Sequence, residues 1–208
     1  MNDAVSSTPL VVVISAPSGT GKTTLCDNIR AALPSICNAV TCTTRKPRDG
    51  ELDGVDYYFL GEDEFHGRVA GGEFLENAVV HGNHYGVLKS ELRAKLAEGS
   101  DVLLNIDVQG AATIREAAAD DPVLSEALVT VFLCPASLGD LEQRLRGRGT
   151  DSDEIIAKRL AIARDEMDQA GEFDHTLTSQ TREADLGQML GIIELVRLAK
   201  QETVSTNE

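Results

Sequence analysis

The sequence predicts an α/β domain in which helices flank a parallel β-sheet, and two observations support this. Three short apolar runs, Leu10–Ser15, Asp101–Asp107 and Leu128–Cys134, have the composition of strands that are buried on both faces. Each run is followed by apolar residues at helical spacing, as a parallel sheet with crossover helices requires. The predicted helices cover residues 22–33, 111–119 and 137–148, and Ser137 is the expected N-cap of the third.

The overall composition is typical of one folded globular domain. The chain has 208 residues, of which 42% are hydrophobic and 25% are charged. A formal net charge of −15 argues against broad, non-specific binding to nucleic acid or anionic membranes. The four cysteines lack metal-binding spacing, and the sequence shows no signal peptide or membrane-spanning stretch. We therefore expect a cytoplasmic protein without nucleic-acid or membrane partners; its oligomeric state stays open.

Two segments interrupt the alternation of strands and helices. Residues 41–95 are rich in turn signals and contain an aromatic cluster, which predicts an inserted, β-containing lobe. The polar stretch Gly147–Glu154 precedes a helical pattern over residues 155–167, and we expect a mobile lid at about 146–160. A last helix is predicted over residues 184–199. The domain would cover residues 9–200, with tails at 1–8 and 201–208.

The first predicted strand runs into the stretch APSGTGKTT, which is close to a phosphate-binding loop. Ala16 stands where the Walker A pattern has its first glycine, whereas Gly19, Gly21 and Lys22 match the pattern. Such a loop wraps backbone N–H groups around phosphate oxygens, and the following helix presents its positive N-terminus. The alternative is a flexible turn, but a strand before it and a helix after it favour phosphate binding. Thr23 would then place its hydroxyl on Mg²⁺.

A carboxylate is expected on the same edge of the sheet. Asp107 ends the second apolar run, where a Walker B aspartate is found, and the Asn105 side chain points to the same face. The alternative is an ordinary turn residue at the end of a strand.

The inserted lobe contains side chains suited to a second anionic ligand. Arg45 and Arg48 are spaced to converge on one anion, and Tyr57 can add a phenolic hydrogen bond. Glu76 and Tyr85 follow in the stretch EFLENAVVHGNHYG. Taken singly, each of these residues has a structural explanation, as a surface ion pair or as part of a small core.

Together these segments resemble the guanylate kinase family over nearly the whole chain, from Pro9 to about Lys200. The resemblance rests on the stretches APSGTGKTT, TTRKPRDGE, DGVDYYF, FLENAVVHGNHYG, NIDVQGA, LRGRGTDSDEIIAKR and EFDH. It implies a P-loop kinase fold and transfer of the γ-phosphoryl group of ATP to GMP, and to dGMP, with Mg²⁺.

The resemblance also implies roles for individual residues. The implied ATP-binding residues are Ala16, Pro17, Ser18, Gly19, Thr20, Gly21, Lys22, Thr23, Thr24, Arg144 and Arg148. The implied GMP-binding residues are Thr41, Arg45, Arg48, Tyr57, Glu76, Tyr85 and Asp107. Lys22, Arg45, Arg148 and Arg159 would be catalytic, and Asn105 and Asp107 would support waters around the Mg²⁺ held by Thr23. The lid arginines have an alternative role in ion pairs with nearby acidic residues.

Several positions depart from the family pattern. Thr41 replaces a serine, and Val87 stands where a serine or threonine helps to recognise guanine. Asn105 replaces an aspartate, and Ser179 replaces an asparagine on the adenine side. Two other functions stay open: a catalytically silent binding module, and a kinase for another small monophosphate. The presence of the phosphate loop and the lid arginines favours an active kinase.

Overall fold

The computed structural model describes residues 8–80, 82–147, 149 and 151–206. In chain order the elements are β1 (Val11–Ser15), α1 (Lys22–Ala32), β2 (Ile36–Asn38), β3 (Thr41–Thr43), β4 (Tyr58–Phe59), α2 (Glu62–Ala70), β5 (Phe74–Val80), β6 (Asn83–Leu88), α3 (Lys89–Ala97), β7 (Asp101–Asn105), α4 (Val108–Ala119), α5 (Pro122–Ala127), β8 (Leu128–Cys134), α6 (Leu138–Gly147), α7 (Asp153–Met167), β9 (His175–Thr178) and α8 (Arg182–Thr206).

The central sheet has five parallel strands in the order β2-β7-β1-β8-β9. Its middle strand β1 is fully buried, and successive side chains point to opposite layers. Val12 and Ile14 pack against α1 and α8, whereas Val11 and Val13 pack against the α4 side. The predicted α/β fold with a parallel sheet between helices is therefore confirmed.

A second sheet, in the order β4-β3-β6-β5, lies within the range of the predicted lobe. It is mixed: β3 pairs in parallel with β4 and antiparallel with β6. A small core of its own, centred on Phe65 and Phe74, packs beneath it. The rings of these two phenylalanines stack with their centroids 4.5 Å apart.

The structure corrects three boundaries that the sequence predicts. Strand β7 ends at Asn105 rather than Asp107, because the Asp107 carboxylate accepts a hydrogen bond from the Gly110 N–H and caps α4. Helix α4 therefore begins at Val108. Helix α8 extends to Thr206, so most of the expected tail is helical. Residues 200–206 contain no glycine or proline to stop this helix, and Lys200 Nζ donates to the carbonyl of Glu126.

One further local feature, the cap of α6, agrees with the prediction. Ser137 caps α6, since its Oγ accepts a hydrogen bond from the Asp140 N–H at 3.0 Å. The four cysteine thiols are free, and burial raises the pKa of each. Within the described residues, the structure contains no helix that is both long and apolar enough to span a bilayer.

Candidate active site

The predicted phosphate loop connects β1 to α1 at the carboxyl edge of the central sheet. Gly19 and Gly21 have φ values of +98° and +116°, a backbone conformation that favours glycine. A Cβ on Gly19 would also lie 2.9 Å from Leu145 Cδ2. Ala16 is only 4% exposed and lies before the turn, so alanine fits there without obstruction. The loop therefore has glycine at the two positions where its backbone conformation requires it.

Lys22 is the first residue of α1 and lies between the loop and the end of β7. Its Nζ donates a hydrogen bond to the carbonyl of Ile106 at 2.5 Å. Burial lowers the pKa of Lys22, and the negative charge of Asp107 partly opposes this shift. The next residue, Thr23, is exposed in the first turn of the helix. An ammonium group and a hydroxyl thus stand beside the loop.

Glu76 on β5 and Asp107 at the N-cap of α4 lie side by side although they come from different layers of the fold. A Cβ added to Gly110 would lie 3.4 Å from Glu76 Oε2 and 3.4 Å from Asp107 Oδ1. Glu76 is only 7% exposed. Burial, reinforced by the charge of Asp107, raises the pKa of Glu76 to about 7. The pair forms an acidic wall with two sets of hydrogen-bond acceptors.

The strand register of the small sheet places Glu76 in a row with Val87 and Thr41, two positions at which the sequence departs from the family pattern. Val87 pairs with Thr41 on β3 and with Glu76 on β5. Cross-strand partners share one face of a sheet, so the three side chains form one surface. Val87 is 3% exposed, and the centre of this surface is therefore apolar.

These residues line one cavity of about 650 Å³ between the two sheets. Eight of its lining residues come from the sequence-predicted set or its noted departures: Lys22, Thr41, Tyr57, Glu76, Tyr85, Val87, Asn105 and Asp107. The cavity is large enough for a nucleotide-sized ligand. The structure thus brings together acidic, phenolic and ammonium groups from distant parts of the chain.

The two arginines predicted for an anion occupy different surroundings. Arg45 Nη2 donates to both carboxylate oxygens of Glu51, at 2.8 and 3.0 Å, and its guanidinium lies 5.3 Å from the ring centroid of Tyr57. Arg45 also lowers the pKa of Glu51. Arg48 is exposed, and its backbone N–H donates to Glu51 at 2.7 Å. Neither arginine lines the cavity. Glu51 holds the segment that carries both of them, because it accepts hydrogen bonds from the Arg45 side chain and the Arg48 backbone.

Arginines of α6 and α7 approach the phosphate loop from its other side. Arg144 Nη1 donates to the carbonyl of Thr20 at 2.6 Å. Arg159 Nη1 donates to Ser18 Oγ at 3.2 Å, and its Nε lies 3.5 Å from Asp151. Arg159 therefore forms both the ion pair with Asp151 that was the alternative to a lid role and a contact with the phosphate loop at Ser18. Arg148 lies outside the described residues.

A second cavity of about 400 Å³ adjoins the loop away from Glu76. Its wall includes Thr20, Arg144, Ser179 and Asp185. The Thr20 and Ser179 side chains are buried, and the Thr20 Oγ1 has no hydrogen-bond partner within the described residues. Two cavities therefore flank one phosphate loop.

Sequence reasoning missed two residues near the larger cavity. Glu166 on α7 is half-buried and close enough to Lys22 and Asp107 to interact electrostatically; burial raises its pKa. Arg30 at the end of α1 lines the cavity and pairs with Asp27. Helical periodicity places both on their helices, yet no local motif distinguishes them from surface charges.

Comparisons with known proteins identify the family of this chain. The family model described as guanylate kinase matches residues 8–194. A guanylate kinase of Aromatoleum aromaticum is 43% identical over 188 residues, which cover 90% of this chain and 89% of the relative. A guanylate kinase of Neisseria gonorrhoeae is 44% identical over 190 residues, with coverage of 91% and 89%. The crystal structure of guanylate kinase from Anaplasma phagocytophilum matches with a TM-score of 0.66 and 29% identity, covering 92% of this chain and 87% of that one.

Proposed function

Because this chain belongs to the guanylate kinase family and is therefore a nucleoside monophosphate kinase, we propose that it transfers the γ-phosphoryl group of ATP to GMP between its two cavities. One observation carries the assignment of the acceptor: Glu76 and Asp107 stand side by side in the cavity that Lys22 also lines. The larger cavity would hold GMP or dGMP, and the loop would hold the phosphates of ATP.

The acidic wall suits the edge of guanine. Guanine presents an N1–H and an adjacent exocyclic amino group, and two carboxylates can accept hydrogen bonds from both. Adenine has no N1–H to donate, so it would leave buried acceptors unsatisfied, at a cost of about 1–3 kcal/mol for each. Thr41 can add a hydroxyl contact, whereas Val87 cannot donate a hydrogen bond. We infer that guanine selection depends mainly on the two carboxylates.

The GMP phosphate would be held by the arginines and tyrosines of the lobe. Tyr57 and Tyr85 line the cavity, with their ring centroids 6.2 Å apart. Arg45 contacts the Tyr57 ring and is bound bidentately by Glu51. For direct contact with phosphate, the Arg45 and Arg48 side chains would have to turn toward the cavity, and Glu51 would then compete with the ligand for Arg45.

On the donor side, the loop from Ala16 to Thr24 would surround the ATP phosphates, with Lys22 close to the transferred group. Arg144 and Arg159 already contact the loop through Thr20 and Ser18. They would stabilise the charge of the phosphates, as Arg148 would on the family's pattern.

The reaction needs positioning and charge neutralisation more than covalent help. An oxygen of the GMP phosphate forms a bond to the γ-phosphorus, and the bond from that phosphorus to the β,γ-bridging oxygen breaks as ADP leaves. The attacking phosphate is already anionic near neutral pH, so we assign no general base. Closing the lobe and the lid over the reactants would exclude water and prevent hydrolysis of ATP.

Magnesium fits the groups at the site. No cluster of three or more His, Cys, Asp or Glu side chains suited to a metal occurs in the described part of the chain. The groups that would hold a cation here are the exposed Thr23 hydroxyl, phosphate oxygens and waters, which is a usual set for Mg²⁺. Asn105 and Asp107 could orient those waters. When bound, Mg²⁺ neutralises the phosphate charge.

A coupled assay of ADP formation across GMP, dGMP, AMP, CMP and UMP tests the proposal. We expect turnover with GMP and dGMP only. Glu76→Ala should mainly raise KM for GMP, and Asn77→Ala, a change at the neighbouring exposed position on β5, serves as its control. Absence of GMP-dependent ADP formation would exclude the kinase activity, and faster turnover of another nucleotide would exclude the guanine assignment.

A further inference from the structure

The carboxylate of Asp185 is buried beside the smaller cavity without a cationic partner. Asp185 is 8% exposed, and it forms no ion pair with any lysine, arginine or histidine that the structure describes. A buried carboxylate is costly unless hydrogen bonds or a ligand compensate it. Asp185 therefore depends on hydrogen bonds or on a ligand for compensation.

Hydrogen bonds connect this carboxylate to the phosphate loop. Asp185 Oδ1 accepts from the Gln180 N–H at 2.7 Å, and Oδ2 accepts from Ser179 Oγ at 3.1 Å. Ser179 Oγ in turn accepts from Arg144 Nη1 at 3.3 Å, the same nitrogen that donates to the Thr20 carbonyl. Asp185, Ser179 and Arg144 thus form a chain that ends on the loop.

This hydrogen-bond network leaves unfilled acceptor positions on the Asp185 carboxylate along the cavity wall. Each carboxylate oxygen can accept two hydrogen bonds, and each accepts one within this network. Thr20 and Asp185 both line the cavity, which adjoins the loop and has about 400 Å³ of space. A ligand in this cavity is favoured if it brings N–H donors to the wall. A helix-capping role would explain the Gln180 contact alone.

We propose that Asp185, oriented by Ser179, selects a phosphoryl donor whose purine base carries an exocyclic amino group. This inference rests on the proposed function, because it places the base of the donor in the cavity next to the loop that binds its phosphates. The amino group of adenine donates a further hydrogen bond to the carboxylate, and a purine without that group leaves this second acceptor position unfilled. Asp185 is thus a determinant of specificity for the donor.

The test compares ATP with purine riboside 5′-triphosphate, which lacks the amino group, at saturating GMP. For the unaltered protein we expect kcat/KM to be about tenfold higher with ATP, the effect of one hydrogen bond to a charged group. Asp185→Ala should lower the ATP value about tenfold and leave the analogue nearly unchanged, so that the preference disappears. Glu183→Ala, which removes an exposed acid from the same helical turn, should retain it.

A merely structural role gives a different result. If Asp185→Ala lowers kcat/KM equally for both donors, or keeps the preference for ATP, the proposal is overturned. Should this variant fail to fold, Asp185→Asn can still accept from the Gln180 N–H, and the same loss of preference is expected. Calorimetric titration with each triphosphate gives the same comparison without turnover, so failure of the kinase assignment and failure of this inference remain distinguishable.

Discussion

The pH dependence of Glu76 makes the most demanding prediction about the acidic wall. The pKa of this carboxyl is raised from 4.5 to about 7 by burial and by Asp107, so the folded state binds the proton more tightly than the unfolded state. The contribution of Glu76 to the free energy of unfolding is therefore fully present below pH 4.5 and is lost as the pH rises through 7. The full shift corresponds to about 3 kcal/mol.

Glu76→Gln removes this titration while keeping the side-chain shape. We expect the variant to gain stability relative to the unaltered protein by about 2.5 kcal/mol between pH 5 and pH 8, as measured by urea unfolding. An equal difference at both pH values, or a variant that is less stable at pH 8, would refute the reasoning.

The same ionisation should affect GMP binding. With a pKa near 7, Glu76 is about one tenth ionised at pH 6 and about nine tenths ionised at pH 8. Since the ionised form accepts hydrogen bonds from guanine, KM for GMP should fall about tenfold over this range. The Glu76→Gln variant serves as the control for ionisation of the GMP phosphate, which changes over the same pH range. In this variant, the tenfold fall in KM that arises from Glu76 should be absent.

Three further variants test other parts of the account. Arg159→Ala should lower kcat about 10²-fold through loss of charge stabilisation, whereas Lys158→Ala, at the adjacent exposed position, should change it less than about twofold. Arg197→Met should lower the free energy of unfolding by about 3 kcal/mol, because it leaves the buried carboxylate of Asp101, at the start of β7, without its cation. Gly86→Ala should destabilise the lobe by about 1–3 kcal/mol, since its Cβ would lie 2.7 Å from a phenylalanine ring, whereas Gly67→Ala meets open space.

Each of these variants has a result that contradicts its basis. If Arg159→Ala and Lys158→Ala change kcat equally, the contact of Arg159 with the phosphate loop has no special role in catalysis. An unfolding free energy unchanged by Arg197→Met would mean that the ion pair adds nothing net. Equal stability of the two glycine variants would contradict the close packing around Gly86.

The phosphate loop and central sheet could be predicted because their signals are local. The loop requires glycine at two left-handed positions, and β1 carries an uninterrupted apolar run that only a doubly covered strand tolerates. The convergence of Glu76 and Asp107 came from the family resemblance, because they lie 31 positions apart and meet through the packing of two sheets.

Other features depend on tertiary contacts that leave little trace in the sequence. Glu51 matched a family motif, but its bidentate pairing with Arg45 depends on how the segment folds back. Glu166 and Asp185 belong to regular helical patterns, and their burial follows from what packs over them. The roles of the site residues, the mobility of the lid and the cytoplasmic location stay predictions.

Transfer of a labelled γ-phosphoryl group tests the central claim most directly. The protein is incubated with γ-labelled ATP, GMP and Mg²⁺, and the labelled products are separated. We predict that the label moves to the β-position of GDP, with one ADP formed for each GDP, and that Lys22→Met reduces the transfer by about 10² or more. Label released as inorganic phosphate, or ADP formed at the same rate without GMP, would contradict the account.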